Sequence, residues 1–164
     1  MIINHTSPNK IETIKRTGFN QYMPEIEFSG CLFFSDDIYQ MTASSTVHHY
    51  TLNLEESACI SVEDLEDVKI DDKTATEMIL NFAEDLDIDV DEDQALDMLI
   101  DDAFAHDLFD HENTSFLSWY VQGIQGRVAR KMGFTACLAE DEQGPVYIVD
   151  MYKSESLLTY EGTL

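Results

Sequence analysis

The sequence predicts an α+β domain, because segments with strand periodicity occupy both ends of the chain and segments with helical periodicity occupy its middle. A short strand begins at Ile2, an apolar strand follows Gly30, and Thr46 to Leu54 alternates with one apolar side. The chain has 164 residues, of which 44% are hydrophobic. This length and composition suit one compact domain with a real core. We therefore expect a single domain that spans residues 1–164.

The middle of the chain predicts three amphipathic helices. Apolar residues recur at helical spacing in three segments: Ala75 to Leu86, Leu96 to Leu108 and Phe116 to Val128. The third helix is expected to end at Gly133, after basic residues that suit a helix C-terminus. A hairpin should follow, with strands Phe134 to Asp141 and Val146 to Met151.

Two shorter helical segments are also predicted near the N-terminus. Asn9 to Arg16 should form a helical turn before Gly18. Ser35 should cap a short helix that runs to Thr42, since acidic residues follow it where the helix dipole favours them.

The acidic residues are concentrated in one part of the chain. Its formal net charge is −24, and residues 55–112 hold 22 of the 33 acidic residues but only Lys69 and Lys73 as bases. We interpret this stretch as an acidic helical insertion. Such a surface repels phosphates, so direct binding to nucleic acid is not expected. It forms either a solvated face or a face that attracts a basic protein.

Composition also excludes several classes of protein. No apolar run approaches the roughly 20 residues that span a bilayer, so no membrane partner is expected. The N-terminus has no signal-peptide pattern. Cys31, Cys59 and Cys137 are widely spaced among apolar residues, which favours free thiols in a reducing compartment. We expect a cytoplasmic protein, and the sequence makes no prediction of its oligomeric state.

Two patterns resemble metal sites but fit them poorly. Asp85, Asp87, Asp89 and Asp91 alternate like a calcium loop, yet Val90 stands where the sharp turn needs glycine. The five-residue spacing of His106 and His111 places them off a common helical face. No metal site is therefore predicted.

Three short segments outside the acidic stretch together suggest a reaction. They are His5-Thr6-Ser7, Phe33 to Tyr39, and Glu140 to Gly144. Taken singly, each has a structural explanation. Together they supply what cleavage of the nicotinamide–ribose bond of NAD requires, since its transition state resembles an oxocarbenium ion. A histidine can hold a ribose hydroxyl, an aromatic ring can stack on nicotinamide, and a carboxylate can stabilise the positive charge.

This constellation resembles the mono-ADP-ribosyltransferases, and more closely the phage anti-CRISPR ADP-ribosyltransferases that act on type I-F CRISPR complexes. The similar segments are His5 to Pro8, Phe34 to Ala43, Ser118-Trp119, Lys131 to Phe134, Asp141 to Gly144 and Tyr147 to Met151. The resemblance covers roughly residues 1–54 and 113–152. It implies an ADP-ribosyltransferase-like split β-sheet core that carries the acidic insertion, and NAD as substrate.

The resemblance also implies roles for individual residues. His5 would bind a ribose hydroxyl, and the backbone of Thr6 would hold the nicotinamide carboxamide. Tyr39 would face the nicotinamide, with Phe34 as its competitor, and Ser35 lies in the same cofactor-binding stretch. Asp141 would be the catalytic acid.

The acid is the position where the sequence departs from the broad superfamily, which uses glutamate. Glu140 and Glu142 are therefore alternatives to Asp141. Glu140 and Asp141 should face opposite sides of a regular strand, so only one of them can point into the cleft.

The resemblance further implies the target, a protein subunit of the type I-F CRISPR effector (Cascade) that recognises target DNA. Two other functions remain open. One is a non-catalytic protein that mimics DNA through residues 55–112 and inhibits a basic partner. The other is an ADP-ribosyltransferase toxin with another target.

Overall fold

One mixed β-sheet organises the protein in this computed structural model, which describes residues 1–16, 30–39, 46–67, 72–100, 114–141 and 144–164. Within those residues the strands are β1 (Ile2–Ser7), β2 (Cys31–Ser35), β3 (His48–Asn53), β4 (Cys59–Ser61), β5 (Ala136–Asp141), β6 (Gly144–Asp150) and β7 (Thr159–Thr163). Their order across the sheet is β4-β5-β6-β2-β1-β3-β7. β4 and β5 are parallel, and every other neighbouring pair is antiparallel.

Three α-helices accompany the sheet in the described ranges: α1 (Asp72–Asp85), α2 (Glu92–Ile100) and α3 (Thr114–Lys131). Short 3₁₀ turns cover Glu56–Ala58, Glu63–Asp67 and Glu155–Leu157. The predicted α+β class is confirmed. Residues 101–108, the second half of the second predicted helix, lie outside the described residues.

The two faces of the sheet carry two separate hydrophobic clusters. On the first face α3 packs against β2, β5 and β6, where Cys31, Cys137 and Ile148 are buried, and α1 and α2 pack against α3. On the second face Ile3, Phe34 and several other apolar side chains form a smaller cluster. Because β-strand side chains alternate, neighbouring residues of one strand contribute to different clusters.

The amphipathic character predicted for α1 and α2 is confirmed. Their apolar positions, such as Ile79 and Leu99, are buried. Acidic side chains on and between them are exposed, namely Glu77, Glu84, Asp85, Asp87, Asp89, Asp91, Glu92, Asp93 and Asp97. This part of the acidic stretch therefore presents its charge to solvent while it contributes to the core.

The predicted end of the third helix and the hairpin are also confirmed. Gly133 takes the left-handed backbone conformation (φ 92°) that favours glycine just past a helix C-terminus. The hairpin turn is shorter than expected, since Gly144 and Pro145 already belong to β6. Two strands were not predicted, β4 with three residues and β7 with five.

The helical turn predicted for Asn9 to Arg16 is wrong. The backbone N–H of Ile11 donates to the Tyr50 hydroxyl (2.7 Å), and that of Ile14 donates to Oε1 of Glu155 (2.6 Å). These distant partners take the hydrogen bonds that a helix would have formed locally. Ile11 and Ile14 pack against the cluster on the second face, so burial of apolar surface favours the non-helical path.

The short helix predicted from Ser35 does not begin where the sequence placed it. Ser35 is the last residue of β2, and its hydroxyl donates to the Asp37 carbonyl oxygen (2.7 Å) instead of accepting from a helix N–H. Residues 36–39 are non-helical. Residues 40–42 of the predicted helix lie outside the described part of the chain.

Gly126 sets the distance between α3 and the sheet. A Cβ at this position would lie 2.8 Å from Cγ2 of Ile148 and 2.9 Å from Sγ of Cys31. Both distances are too short for real contacts, so the helix approaches β2 and β6 only because residue 126 lacks a side chain.

We expect Gly126→Ala to lower the free energy of unfolding by about 1–3 kcal/mol, since overpacking costs that much in a rigid core. A thermal melt measures the effect. In the double variant with Cys31→Ala, the removed sulfur makes room for the new methyl group, so the two costs should be less than additive. Additive costs would show that the close approach is not the cause.

Candidate active site

The junction between β1 and β2 is the most open seam in the described sheet. β1 pairs with β3 at six positions, from Ile2 to Ser7, but with β2 at one, where Asn4 lies opposite Ser35. From His5 to Ser7, β1 therefore forms no ladder pairs with β2. The predicted residues His5 and Thr6 lie in this stretch.

His5 bridges the seam with its side chain. Its Nδ1 lies 2.8 Å from the carbonyl oxygen of Phe33. A carbonyl oxygen can only accept, so Nδ1 must carry the proton of this hydrogen bond. In the neutral ring Nε2 is then the acceptor, and His5 is partly exposed to solvent. The geometry therefore prepares His5 to accept a hydrogen bond from a hydroxyl group, as ribose binding requires.

The surroundings of His5 keep its ring neutral. Burial lowers the pKa of His5 below its usual value, and this outweighs the opposite effect of the hydrogen bond to Phe33. The ring of Phe34 lies beside it, with centroids 5.5 Å apart. At neutral pH Nε2 thus retains its lone pair.

A polar network holds residues 36–39 against β1. The Thr6 hydroxyl donates to the carbonyl oxygen of Tyr39. Nδ2 of Asn4 donates to the carbonyl oxygen of Asp36 (2.7 Å), and Oδ1 of Asn4 accepts from Nε2 of His49 (2.9 Å). Tyr39 is brought beside Thr6 in this way, although they are 33 positions apart. Asn4 and His49 were not among the predicted site residues.

The exposure of the two candidate aromatic rings differs strongly. Tyr39 is 41% exposed, whereas Phe34 is 1% exposed. A stacking partner must offer a ring face, which the exposed Tyr39 does and the buried Phe34, whose ring lies beside that of His5, does not. Ser35 follows Phe34 in β2 and pairs with Asn4 across the seam.

The strand register divides the predicted residues between the two faces of the sheet. Phe34 lies opposite Tyr147, and Tyr147 lies opposite Leu138. These residues and His5 therefore share the second face. Alternation along β5 places Glu140 on the same face as Leu138, and Glu140 is exposed. Thr6 and Ser35 occupy the alternate positions and hence the first face.

Asp141 is the last residue of β5, and it pairs with Gly144 across the hairpin. Its side chain lies outside the described residues, as does the whole of Glu142. β5 is three strands from β1, which corresponds to roughly 14 Å across the sheet. An acid on β5 and His5 on β1 can therefore meet the same ligand only if the ligand spans the intervening strands.

Tyr147 on β6 and Asp36, just after β2, form a polar pair that the sequence did not predict. β6 and β2 lie between β5 and β1 in the sheet. The Tyr147 hydroxyl donates to Oδ1 of Asp36 (3.1 Å). Burial and the neighbouring carboxylate raise the pKa of Tyr147 to about 12, so it remains a hydrogen-bond donor. Asp36 is thereby held at the end of β2, beside the predicted site.

The described residues contain no group of three or more His, Cys, Asp or Glu side chains arranged to hold a metal ion. His106 and His111 lie outside them. Among the described helices, none is long and apolar enough to cross a membrane.

The family model of the anti-CRISPR Type I-F ADP-ribosyltransferase AcrIF11 matches residues 1–155. The chain belongs to this family. The match includes His5, Tyr39 and Asp141, all three described α-helices and every described strand except β7. Membership in the AcrIF11 family implies ADP-ribosylation in an anti-CRISPR role, with NAD as the source of ADP-ribose.

A solved structure described as "Crystal structure of an anti-CRISPR protein" is similar to this AcrIF11-family chain at 23% sequence identity. The comparison covers 91% of this chain and 88% of that one, with a TM-score of 0.46. No curated protein matches the chain.

Proposed function

We propose that the protein is a mono-ADP-ribosyltransferase that transfers ADP-ribose from NAD to a side chain of a type I-F CRISPR effector subunit. The observation that carries this proposal is His5, whose Nδ1 is engaged by the Phe33 carbonyl at the open seam. That arrangement leaves Nε2 as an acceptor for a ribose hydroxyl. The family match supports the reaction class.

The reaction breaks one bond and forms one. The C1′–N bond of the nicotinamide ribose breaks, and nicotinamide leaves with the bonding electron pair. A nucleophilic side chain of the target then bonds to C1′ and loses its proton to a base or to water. No oxidant or reductant is needed.

We assign the chain's residues to these steps. His5 accepts a hydrogen bond from a ribose hydroxyl and orients the ring. The backbone of Thr6 holds the carboxamide, and Tyr39 stacks on the nicotinamide. The resemblance assigns to Asp141 the negative charge that stabilises the positive ribose in the transition state, and this role requires bound NAD to extend from His5 across β2 and β6 towards β5.

Modification would block the target electrostatically. ADP-ribose adds bulk and two phosphates, and negative charge repels the DNA that such a subunit must bind. Each enzyme molecule can modify many targets, so inhibition should not require equal amounts of enzyme and target.

Intact mass spectrometry of purified type I-F effector subunits tests the proposal. We expect incubation with the protein and NAD to add the mass of one ADP-ribosyl group to one subunit, and omission of NAD to abolish the shift. An unmodified effector that is nevertheless inhibited without NAD would overturn it.

The exposed acidic residues of α1 and α2 favour one other candidate, a DNA mimic that binds a basic partner. Their carboxylates face solvent on the helices. Inhibition by a mimic would survive removal of NAD and would fail at high salt, because screening weakens exposed charges. The mass experiment, repeated at two salt concentrations, separates the two functions.

A further inference from the structure

A basic pocket lies between the end of α3 and the end of β6. Its volume is about 320 Å³, and five cations line it: Arg16, Arg127, Arg130, Lys131 and Lys153. The whole chain has nine lysines and arginines, compared with 33 aspartates and glutamates. More than half of the positive charge of a strongly acidic protein is thus gathered around one cavity.

One carboxylate, that of Asp150, neutralises part of this positive charge. Asp150 is buried and forms ion pairs with Arg16 (3.1 Å) and Arg130 (3.5 Å). Arg130 also donates to the backbone carbonyl oxygens of Asp150 and Tyr152. These bonds fix two guanidinium groups in place, and among the described residues that line the pocket Asp150 is the one carboxylate beside five cations.

Arg127 is the observation that points to a ligand. Its Nη1 atom is buried and has no hydrogen-bond partner among the described residues. A buried guanidinium nitrogen without a partner is costly. An anion in the pocket would supply the missing acceptor.

The dipole of α3 explains only some of the basic residues. Cations near a helix C-terminus are favourable, which covers Arg130 and Lys131. Arg16 and Lys153 come from other segments. Lys153 adopts a left-handed backbone (φ 60°), uncommon for a residue other than glycine, and its Nζ lies 5.0 Å from the centre of the Tyr152 ring beside the pocket.

The pocket is separate from the candidate active site. Asp150 lies opposite Cys31, whereas the His5 region lies near the pair Phe34 and Tyr147. Three strand positions separate the two, roughly 10 Å along β6. α3 covers the first face of the sheet, and His5 belongs to the second.

We propose that this pocket binds the phosphate of a small phosphate-bearing ligand, at a site distinct from that of NAD. Planar guanidinium groups form paired hydrogen bonds with phosphate oxygens, and a phosphate carries more negative charge than a carboxylate, which suits a pocket lined by several cations. The volume suits a small molecule. A long nucleic acid would meet the repulsion of a chain with net charge −24.

Isothermal titration calorimetry of the full chain with inorganic pyrophosphate tests the proposal. We expect Arg127→Gln to weaken binding at least about tenfold, since a hydrogen bond to a charged group is lost. Lys153→Gln, at an exposed position, should weaken it without affecting the fold. Lys10→Gln removes the same charge near Tyr160, away from the pocket, and should bind like the wild type.

Each contrary result is informative. No pyrophosphate binding by the wild type, or an equal loss in Lys10→Gln, overturns the site. Loss of pyrophosphate binding in His5→Asn would place the ligand in the NAD site and overturn the separation. Tighter binding of a short single-stranded oligonucleotide than of pyrophosphate would overturn the small ligand. A thermal melt shows whether Arg127→Gln is folded, and Lys153→Gln carries the test if it is not.

Discussion

Asp141→Asn should lower the rate of ADP-ribosyl transfer at least about 10²-fold, the scale for losing one preorganised electrostatic group. The substitution removes the negative charge and keeps the size of the side chain. The affinity for NAD should change little, because the charge acts on the transition state and not on the bound substrate. Single-turnover labelling of the effector subunit measures the rate, and calorimetry measures NAD binding.

Glu140→Gln is the matched control, and we expect it to retain a rate within a few-fold of the wild type. This control is a strict one, because Glu140 is exposed on the face of the sheet that carries His5 and is therefore the alternative acid. A large loss in Glu140→Gln with a near-normal Asp141→Asn would assign the catalytic acid to Glu140. It would show that the face shared with His5, and not the resemblance, identifies the acid.

His5→Asn should weaken NAD binding about tenfold or more while the protein stays folded. An asparagine amide can still donate to the Phe33 carbonyl, as Nδ1 of His5 does, but it offers nothing at the position of Nε2. A ribose hydroxyl would lose its acceptor, and an unsatisfied buried group costs about 1–3 kcal/mol. Thermal stabilisation by NAD reports the binding. Normal stabilisation of the variant by NAD would reduce His5 to a structural residue.

The pH dependence of NAD binding gives a second measure of the same role. Protonated His5 cannot accept a hydrogen bond, and its pKa is lowered below the usual value of about 6.5. Affinity should therefore be constant above about pH 6.5 and fall as the pH drops through the lowered pKa. His5→Gln places an amide that does not titrate near Nε2, so its weaker binding should not depend on pH in this range. An acid limb that persists in His5→Gln would mean that another group is responsible.

Periodicity predicted the elements that bury a continuous apolar face. α1, α3 and the β5–β6 hairpin each follow such a pattern. β7 escaped prediction because its residues are exposed or half-buried and show no apolar alternation. Its place is set by pairing with β3, from His48–Thr163 to Thr51–Thr159. The non-helical path of Asn9 to Arg16 was not predicted for a related reason, because its backbone hydrogen bonds go to residues far along the chain.

The candidate site was predictable in part. The resemblance supplied His5, Tyr39 and Asp141, and the structure brings the Tyr39 backbone to Thr6. The roles of Asn4 and His49 were beyond sequence reasoning, because their link depends on strand register and joins positions 45 residues apart. The burial of Phe34 depends on packing in the same way. These residues form no local motif from which their contacts follow.

The scarcity of pairing between β1 and β2 has a consequence for how the sheet moves. β1 pairs with β3 at six positions, so its backbone amides on that side are held in a continuous ladder. On the other side, β1 is connected to β2 by the pair Asn4–Ser35 and by the hydrogen bond between His5 Nδ1 and the Phe33 carbonyl. Local opening costs least where few bonds must break together. We therefore expect local opening of the sheet to be easier at this seam than between β1 and β3. Amide hydrogen exchange along a single strand would then be fast on one edge and slow on the other.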